Sequence, residues 1–223
     1  MNLLESIEIE TAPNPTHAVL WLHGLGADGN DFAPLVPELQ WPGAPAMRFI
    51  FPHAPVQPIT INNGYAMRAW YDIYALDLVR REDETGVQAS REAIDALLKR
   101  EIERGIPAHH IVLGGFSQGC AMSLYTGLRF PAALAGVVGL SGYLPRAAAL
   151  AAEAHEANRR TPIFQAHGLQ DPVVALERGE ATRRTLEDLG YDVTWKTYPM
   201  PHSVCPDEIA DIRTFLAGVL SRS

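Results

Sequence analysis

The chain has 223 residues, 47% of them apolar and 20% charged, with a net charge of −8. Folding at this length buries roughly 70% of the surface that the unfolded chain exposes, so a core is available without disulfide or metal staples. The acidic balance offers no basic stripe for nucleic acid, and the Arg80-Arg81 and Arg159-Arg160 pairs read as solvated surface.

MNLLESIEIE has no basic leading region and carries acids early, so it is not expected to be a signal peptide. No apolar run reaches the ~18 residues of a membrane span. A cytoplasmic location is expected. Cys120 and Cys205 read as small reduced thiols rather than a disulfide framework.

In chain order, Ile7 to Thr11 is expected as an antiparallel edge strand. HAVLWL (17–22) is a buried strand that exits into His23-Gly24, and MRFIFPHA (47–54) is the next. Val87, Ile94, Leu97, Leu98 and Ile102 recur at helical spacing, and Gly105 and Pro107 stop that helix. A strand over 110–115, a helix over 118–129 and a strand over 135–140 follow. The Ala-rich piece 147–157 reads as a plain surface helix. A strand over 162–167, a helix from about 173 to 189 closed by Gly190, a strand over 192–198 and a last helix carrying Ile209, Ile212, Leu216 and Val219 complete the chain. No repeat or linker divides it, so one domain over 1–223 is expected. Short apolar strands separated by helices predict an α/β fold, a mostly parallel sheet of about seven strands covered on both faces. Ligands in such sheets sit at the carboxyl ends of the strands, so the loops after each strand are where chemistry belongs.

Gly115-Phe116-Ser117-Gln118-Gly119 stands in one of those loops, where a strand meets a helix. A Gly-x-Ser-x-Gly turn of this kind raises a serine hydroxyl above the sheet. A hydroxyl is a poor nucleophile until a base takes its proton, and around a Gly-x-Ser-x-Gly turn of this kind the chain order is serine, acid, histidine. Downstream of Ser117 lie His155, His167 and His202. His155 belongs to the Ala-rich segment, and His167 ends a strand where it would pack or hydrogen-bond locally. His202 lies in the loop after the last strand and is the expected base. The acid is Asp171 or Asp207. Asp171, in HGLQDPVV, is preferred, although Asp before Pro also suits a helix cap; Asp207 falls in the first turn of the last helix, where acids favour the dipole. The oxyanion donors are expected to be the backbone N–H of Gln118 and that of Leu25 in LHGLGADGND. As both are main-chain groups, truncating either side chain should cost less than the 10²–10³ of a lost donor.

LHGLGADGNDF, FPHAPVQPITINNGYAMRAWYDI, GGFSQGCAMSLY, GLSGYLP, HGLQDPVV and YPMPHSV together resemble the carboxylesterase, acyl-protein thioesterase and lysophospholipase family of α/β hydrolases, over nearly the whole chain. The resemblance implies an α/β-hydrolase fold with a minimal cap formed by the loop at roughly 55–84. It implies a cofactor-free serine esterase acting on small to medium acyl esters or thioesters through an acyl-enzyme. The family triad falls on Ser117, Asp171 and His202, and its oxyanion donors on Leu25 and Gln118. Trp70 would then face the acyl group, although a Trp here also suits the core.

A lysophospholipase or protein thioesterase is the alternative, and a hydrolase-fold binding protein without turnover is the remote one. A homodimer is left open. His109 and His110, expected on opposite faces of a strand, make a poor metal pair, and GLGADG lacks the Lys-Ser/Thr of a phosphate loop.

Overall fold

In the strand His17–Leu22, side chains alternate between two separate cores. Ala18, Leu20 and Leu22 join one apolar cluster, and Val19 and Trp21 the other. A pleated strand does this only when both faces of its sheet are covered. The computed structural model, which describes residues 3–74 and 82–221, is built around that strand.

Nine strands are present among the described residues: β1 (Ser6–Glu10), β2 (His17–Leu22), β3 (Met47–Pro52), β4 (Val56–Ile59), β5 (Tyr65–Arg68), β6 (Ile111–Phe116), β7 (Gly136–Leu140), β8 (Ile163–Gly168) and β9 (Val193–Tyr198). Seven form one sheet in the order β1-β3-β2-β6-β7-β8-β9. Only the β1–β3 edge pair is antiparallel, with Glu8 opposite Ile50; every other pair in that sheet is parallel. The α/β-hydrolase fold anticipated from the sequence is therefore present. β4 and β5 form a separate antiparallel hairpin, turned by consecutive left-handed residues Asn63 (φ 55°) and Gly64 (φ 76°). Residues 56–68 of the loop expected at roughly 55–84 thus form a hairpin, and 75–81, with Arg80-Arg81, lie outside the described residues.

The helices are α1 (Glu84–Glu103), α2 (Gln118–Gly127), α3 (Leu150–Glu153), α4 (Leu176–Asp188) and α5 (Pro206–Leu220). Val87, Ile94, Leu97 and Leu98 of α1 are buried on one face of the sheet, and Ile209, Ile212, Leu216 and Val219 of α5 on the other. Asp83 caps α1 by accepting from the Gly86 N–H at 3.0 Å. No described helix is long and apolar enough to cross a membrane.

Three local expectations need correction. The 147–157 segment is two short 3₁₀ turns flanking the four-residue α3, and it is tied down rather than free. Buried Leu150 faces the core, and the buried Asn158 side chain donates to the Phe130 and Ala132 carbonyls. His155 caps the second turn instead of riding a helix face. His109 and His110 lie in a 3₁₀ turn, not on a strand, with His110 stacked on His17 at 4.2 Å. α4 begins at Leu176 rather than about 173, because the residues after Asp171 form their own turn.

The first turn of α5 holds Glu208, which is fully buried. Neither carboxylate oxygen has a hydrogen-bond partner among the described residues. Burial, and then the like charge of Asp211, push its carboxyl up to about 8 from 4.5. In the window between those values the unfolded chain has released a proton that the folded chain keeps. Stability contributed by the neutral group is therefore full below pH 4.5 and lost as the pH rises toward 8. E208Q, neutral at every pH, should raise the melting temperature by ~5 °C or more at pH 8 and leave it unchanged below pH 4.5. Thermal unfolding of both proteins across that range checks this; an equal shift at both ends would contradict it.

Candidate active site

β6 ends at Phe116 and α2 starts at Gln118, leaving one residue for the change of direction. That residue, Ser117, has φ 57° and ψ −117°. A non-glycine residue held there costs about 1–3 kcal/mol, which the surrounding packing must offset. All ten residues of α2 are buried, and that packing fixes the turn. Gly119 lets the helix approach β2: a Cβ there would collide with the Leu22 carbonyl. The Ser117 N–H donates to the Leu140 carbonyl at 2.8 Å, tying the turn to β7.

His202 lies in the loop between β9 and α5, its ring 4.7 Å from that of Phe116. Its Nε2 is 2.9 Å from Ser117 Oγ, and its Nδ1 is 2.7 Å from Asp171 Oδ2. A carboxylate only accepts, so Nδ1 carries the proton and Nε2 presents its lone pair to the serine hydroxyl. The three residues are 31 and 85 positions apart in the pairs that touch, yet they form one hydrogen-bonded chain.

Asp171 has a fully buried side chain. Its Oδ1 accepts from the backbone N–H groups of Val173 (2.8 Å) and Val174 (2.9 Å), which leaves Oδ2 for His202. The expected helix cap is not formed, because α4 starts at Leu176 with Ala175 as its N-cap; the carboxylate instead closes the preceding turn and partners His202. Its loop is joined to the His202 loop by Leu169 N–H to Tyr198 O (2.8 Å) and Gln170 N–H to Met200 O (3.1 Å). Asp207 lies in the first turn of α5 and makes no hydrogen bond to His202.

The loop after β2 runs beside the serine: a Cβ on Gly24 would lie 3.3 Å from Ser117 Cβ. Leu25 follows. Gly26, with φ 77°, donates its N–H to the Arg68 carbonyl of β5 at 2.8 Å. The Leu25 and Gln118 N–H groups have no backbone acceptor among the described residues.

His23, which the sequence reading passed over, holds this loop. It is buried, donates from Nδ1 to the Gly24 carbonyl (2.7 Å) and accepts at Nε2 from the Ala54 N–H (3.0 Å). The two partners permit only the neutral Nδ1–H tautomer, and burial lowers its pKa further. The one signal available was its place beside glycine at a strand exit.

Trp70 lies in the core, the second of the two places its sequence position allows. Its side chain is 1% exposed, its indole N–H donates to the His23 carbonyl at 2.9 Å, and its ring packs against that of His23. It is a core residue that supports the loop after β2. Gln118 also does more than supply a backbone donor. Its buried side chain accepts from the Trp70 N–H (2.8 Å) and donates to the Tyr71 carbonyl (2.7 Å), so the serine turn grips the chain that leads on from the hairpin. Cys120 is free and fully buried, and burial raises its thiol pKa far above the nucleophilic range. Among the described residues no cluster of three or more His, Cys, Asp or Glu could hold a metal ion.

Comparison with known proteins agrees with this architecture. A family model described as phospholipase/carboxylesterase matches residues 4–220. Acyl-protein thioesterase 1 of Neurospora crassa is 45% identical over 218 residues, which cover 93% of this chain and 88% of the relative. Acyl-protein thioesterase 1 of Mycosarcoma maydis is 40% identical over 237 residues, covering 99% of each. Among solved structures, Arabidopsis thaliana SOBER1 superposes with a TM-score of 0.87 at 30% identity, over 92% of this chain and 99% of that one. Zea mays acyl-protein thioesterase 2 superposes with a TM-score of 0.83 at 29% identity, over 96% and 99%. This chain is a hydrolase of the phospholipase/carboxylesterase family.

Proposed function

We propose that the protein hydrolyses acyl esters and thioesters through an acyl-enzyme on Ser117, with His202 as base, Asp171 as its partner, and the Leu25 and Gln118 N–H groups as the oxyanion donors. The observation that carries this reading is the unbroken chain from Asp171 Oδ2 through His202 to Ser117 Oγ, at 2.7 and 2.9 Å.

His202 Nε2 takes the hydroxyl proton as Ser117 Oγ attacks the acyl carbonyl. The carbonyl oxygen becomes an alkoxide, and the two backbone donors stabilise it as its charge develops. Collapse expels an alkoxide or thiolate, which receives the proton from His202. A water then repeats the sequence, giving the carboxylic acid and free serine. Asp171 holds the Nδ1–H tautomer and stabilises the imidazolium in each half.

Exposed Leu169 and Val173 flank Asp171 in sequence and supply apolar surface along which a short or medium acyl chain can lie. The thioester half of the reading draws on the fungal relatives, which are named acyl-protein thioesterases. A cytoplasmic location and one domain over 1–223 complete the proposal.

S117A should lower kcat/KM for p-nitrophenyl butyrate and for a matched acyl thioester by roughly 10⁴-fold or more, with circular dichroism unchanged. Turnover retained by the folded variant would refute the assignment. Truncations at the two donor residues should differ. L25A leaves its backbone donor in place and should change kcat by less than about tenfold. Q118A breaks two buried hydrogen bonds, to Trp70 and Tyr71, and should also lower stability by about 1–3 kcal/mol. Denaturant unfolding beside steady-state kinetics separates the two effects.

A further inference from the structure

His167 takes no part in the proposed proton relay, yet it lies directly behind it. It is the penultimate residue of β8, and its side chain is fully buried. Nε2 is 2.8 Å from the Val174 carbonyl and 3.4 Å from Asp171 Oδ2, the oxygen that also faces His202. A carbonyl only accepts, so Nε2 carries the proton. Nδ1 is buried with no partner among the described residues and faces α4 so closely that a Cβ on Gly179 would lie 2.5 Å away. The ring is therefore a neutral Nε2–H imidazole with one hydrogen bond, to the Val174 carbonyl, and a longer contact with Asp171 Oδ2, both on the same turn.

That turn depends on the contact. Val174 offers its N–H to Asp171 Oδ1 and its carbonyl to His167, so one residue is gripped from two sides. Release of the carbonyl would free Val173 and Val174 to swing, and with them the two donors that orient Oδ1. The charged or titratable groups facing the ring are Asp171 from the turn, His202 from the β9–α5 loop and Glu177 from α4. Burial outweighs the attraction of the two acids and lowers the imidazole pKa, which keeps it a single-proton donor.

We propose that His167 is a positioning residue for the reaction: its Nε2–H locks the Asp171–Val174 turn through the Val174 carbonyl and bears on Asp171 Oδ2, which aims the carboxylate at His202. The inference rests on the reading of Ser117, His202 and Asp171 as the working triad.

The test compares wild type, H167L, H167Q and D171N with p-nitrophenyl butyrate over the pH range of activity. H167L should lower kcat by about 10–100-fold with KM within about twofold, as expected when a catalytic group is displaced by around an ångström. It should also displace the acid limb of the kcat/KM profile, which a loss of stability alone would not do. H167Q can place an amide N–H where Nε2–H stands and should recover most of kcat and the original limb. A folded H167L with wild-type kcat and profile overturns the proposal. So does an H167Q no better than H167L. D171N separates the two layers: an active D171N removes the triad reading itself, whereas an impaired D171N beside an unimpaired H167L removes only the role of His167.

Should H167L fail to fold, nitrogen-15 NMR of the wild-type histidines decides. His167 should keep a bare Nδ1 and a protonated Nε2 throughout the active pH range, and its Nε2–H signal should move when a phosphonate is attached to Ser117. An Nδ1–H tautomer, or a signal indifferent to the adduct, overturns the proposal.

Discussion

A serine held at φ 57° between a buried strand and a buried helix is the constraint on which the site depends. The conformation is unfavourable for any residue with a side chain, and it persists because every residue of α2 is buried. With the turn fixed, the Ser117 hydroxyl has a defined position above the carboxyl end of β6. The parallel arrangement of β2, β6, β7, β8 and β9 then sends the loops that follow them to the same edge. Gly24, Asp171 and His202 come from three of those loops. Residues far apart in the chain meet because strand direction, rather than any local attraction, puts them there.

Single-tautomer imidazoles give the site its directional hydrogen bonds. His202 faces a carboxylate and a hydroxyl, and His23 a carbonyl and an amide N–H, so the proton position in each is dictated by neighbours that only accept or only donate. Burial lowers the pKa of His23, which protects the loop beside Ser117 from acid. Trp70 and Gln118 extend the same framework to the hairpin side. The Trp70 side chain donates to the His23 carbonyl, the Gln118 side chain clamps the Trp70–Tyr71 backbone, and both hold main-chain segments.

What could be read in the sequence followed local rules. The alternation in β2, the periodic apolar face of α1 and the glycines around Ser117 report on their own immediate geometry, and the sheet follows from their order. Segments whose conformation depends on distant partners carry no such local record. Residues 147–157 have the composition of a helix, but the Asn158 side chain satisfies carbonyls near residue 130 and breaks the segment into short turns. Trp70 could line a pocket or join the core with equal local logic; its indole N–H found the His23 carbonyl 47 positions away. The partners of His23 and of the Gln118 side chain left no local signature, because both bond to backbone groups, which sequence patterns do not mark. Asp171 does not cap the helix its Asp-Pro pair suggested: one oxygen closes a turn that ends before α4 begins at Leu176, and the other faces His202.

The most direct measurement of the central claim is covalent mapping with a fluorophosphonate. Intact-mass spectrometry should show one equivalent attached, and peptide sequencing should place it on Ser117, with labelling lost when the protein is first unfolded. A chain that remains unlabelled, or carries its adduct on another side chain, would contradict the account.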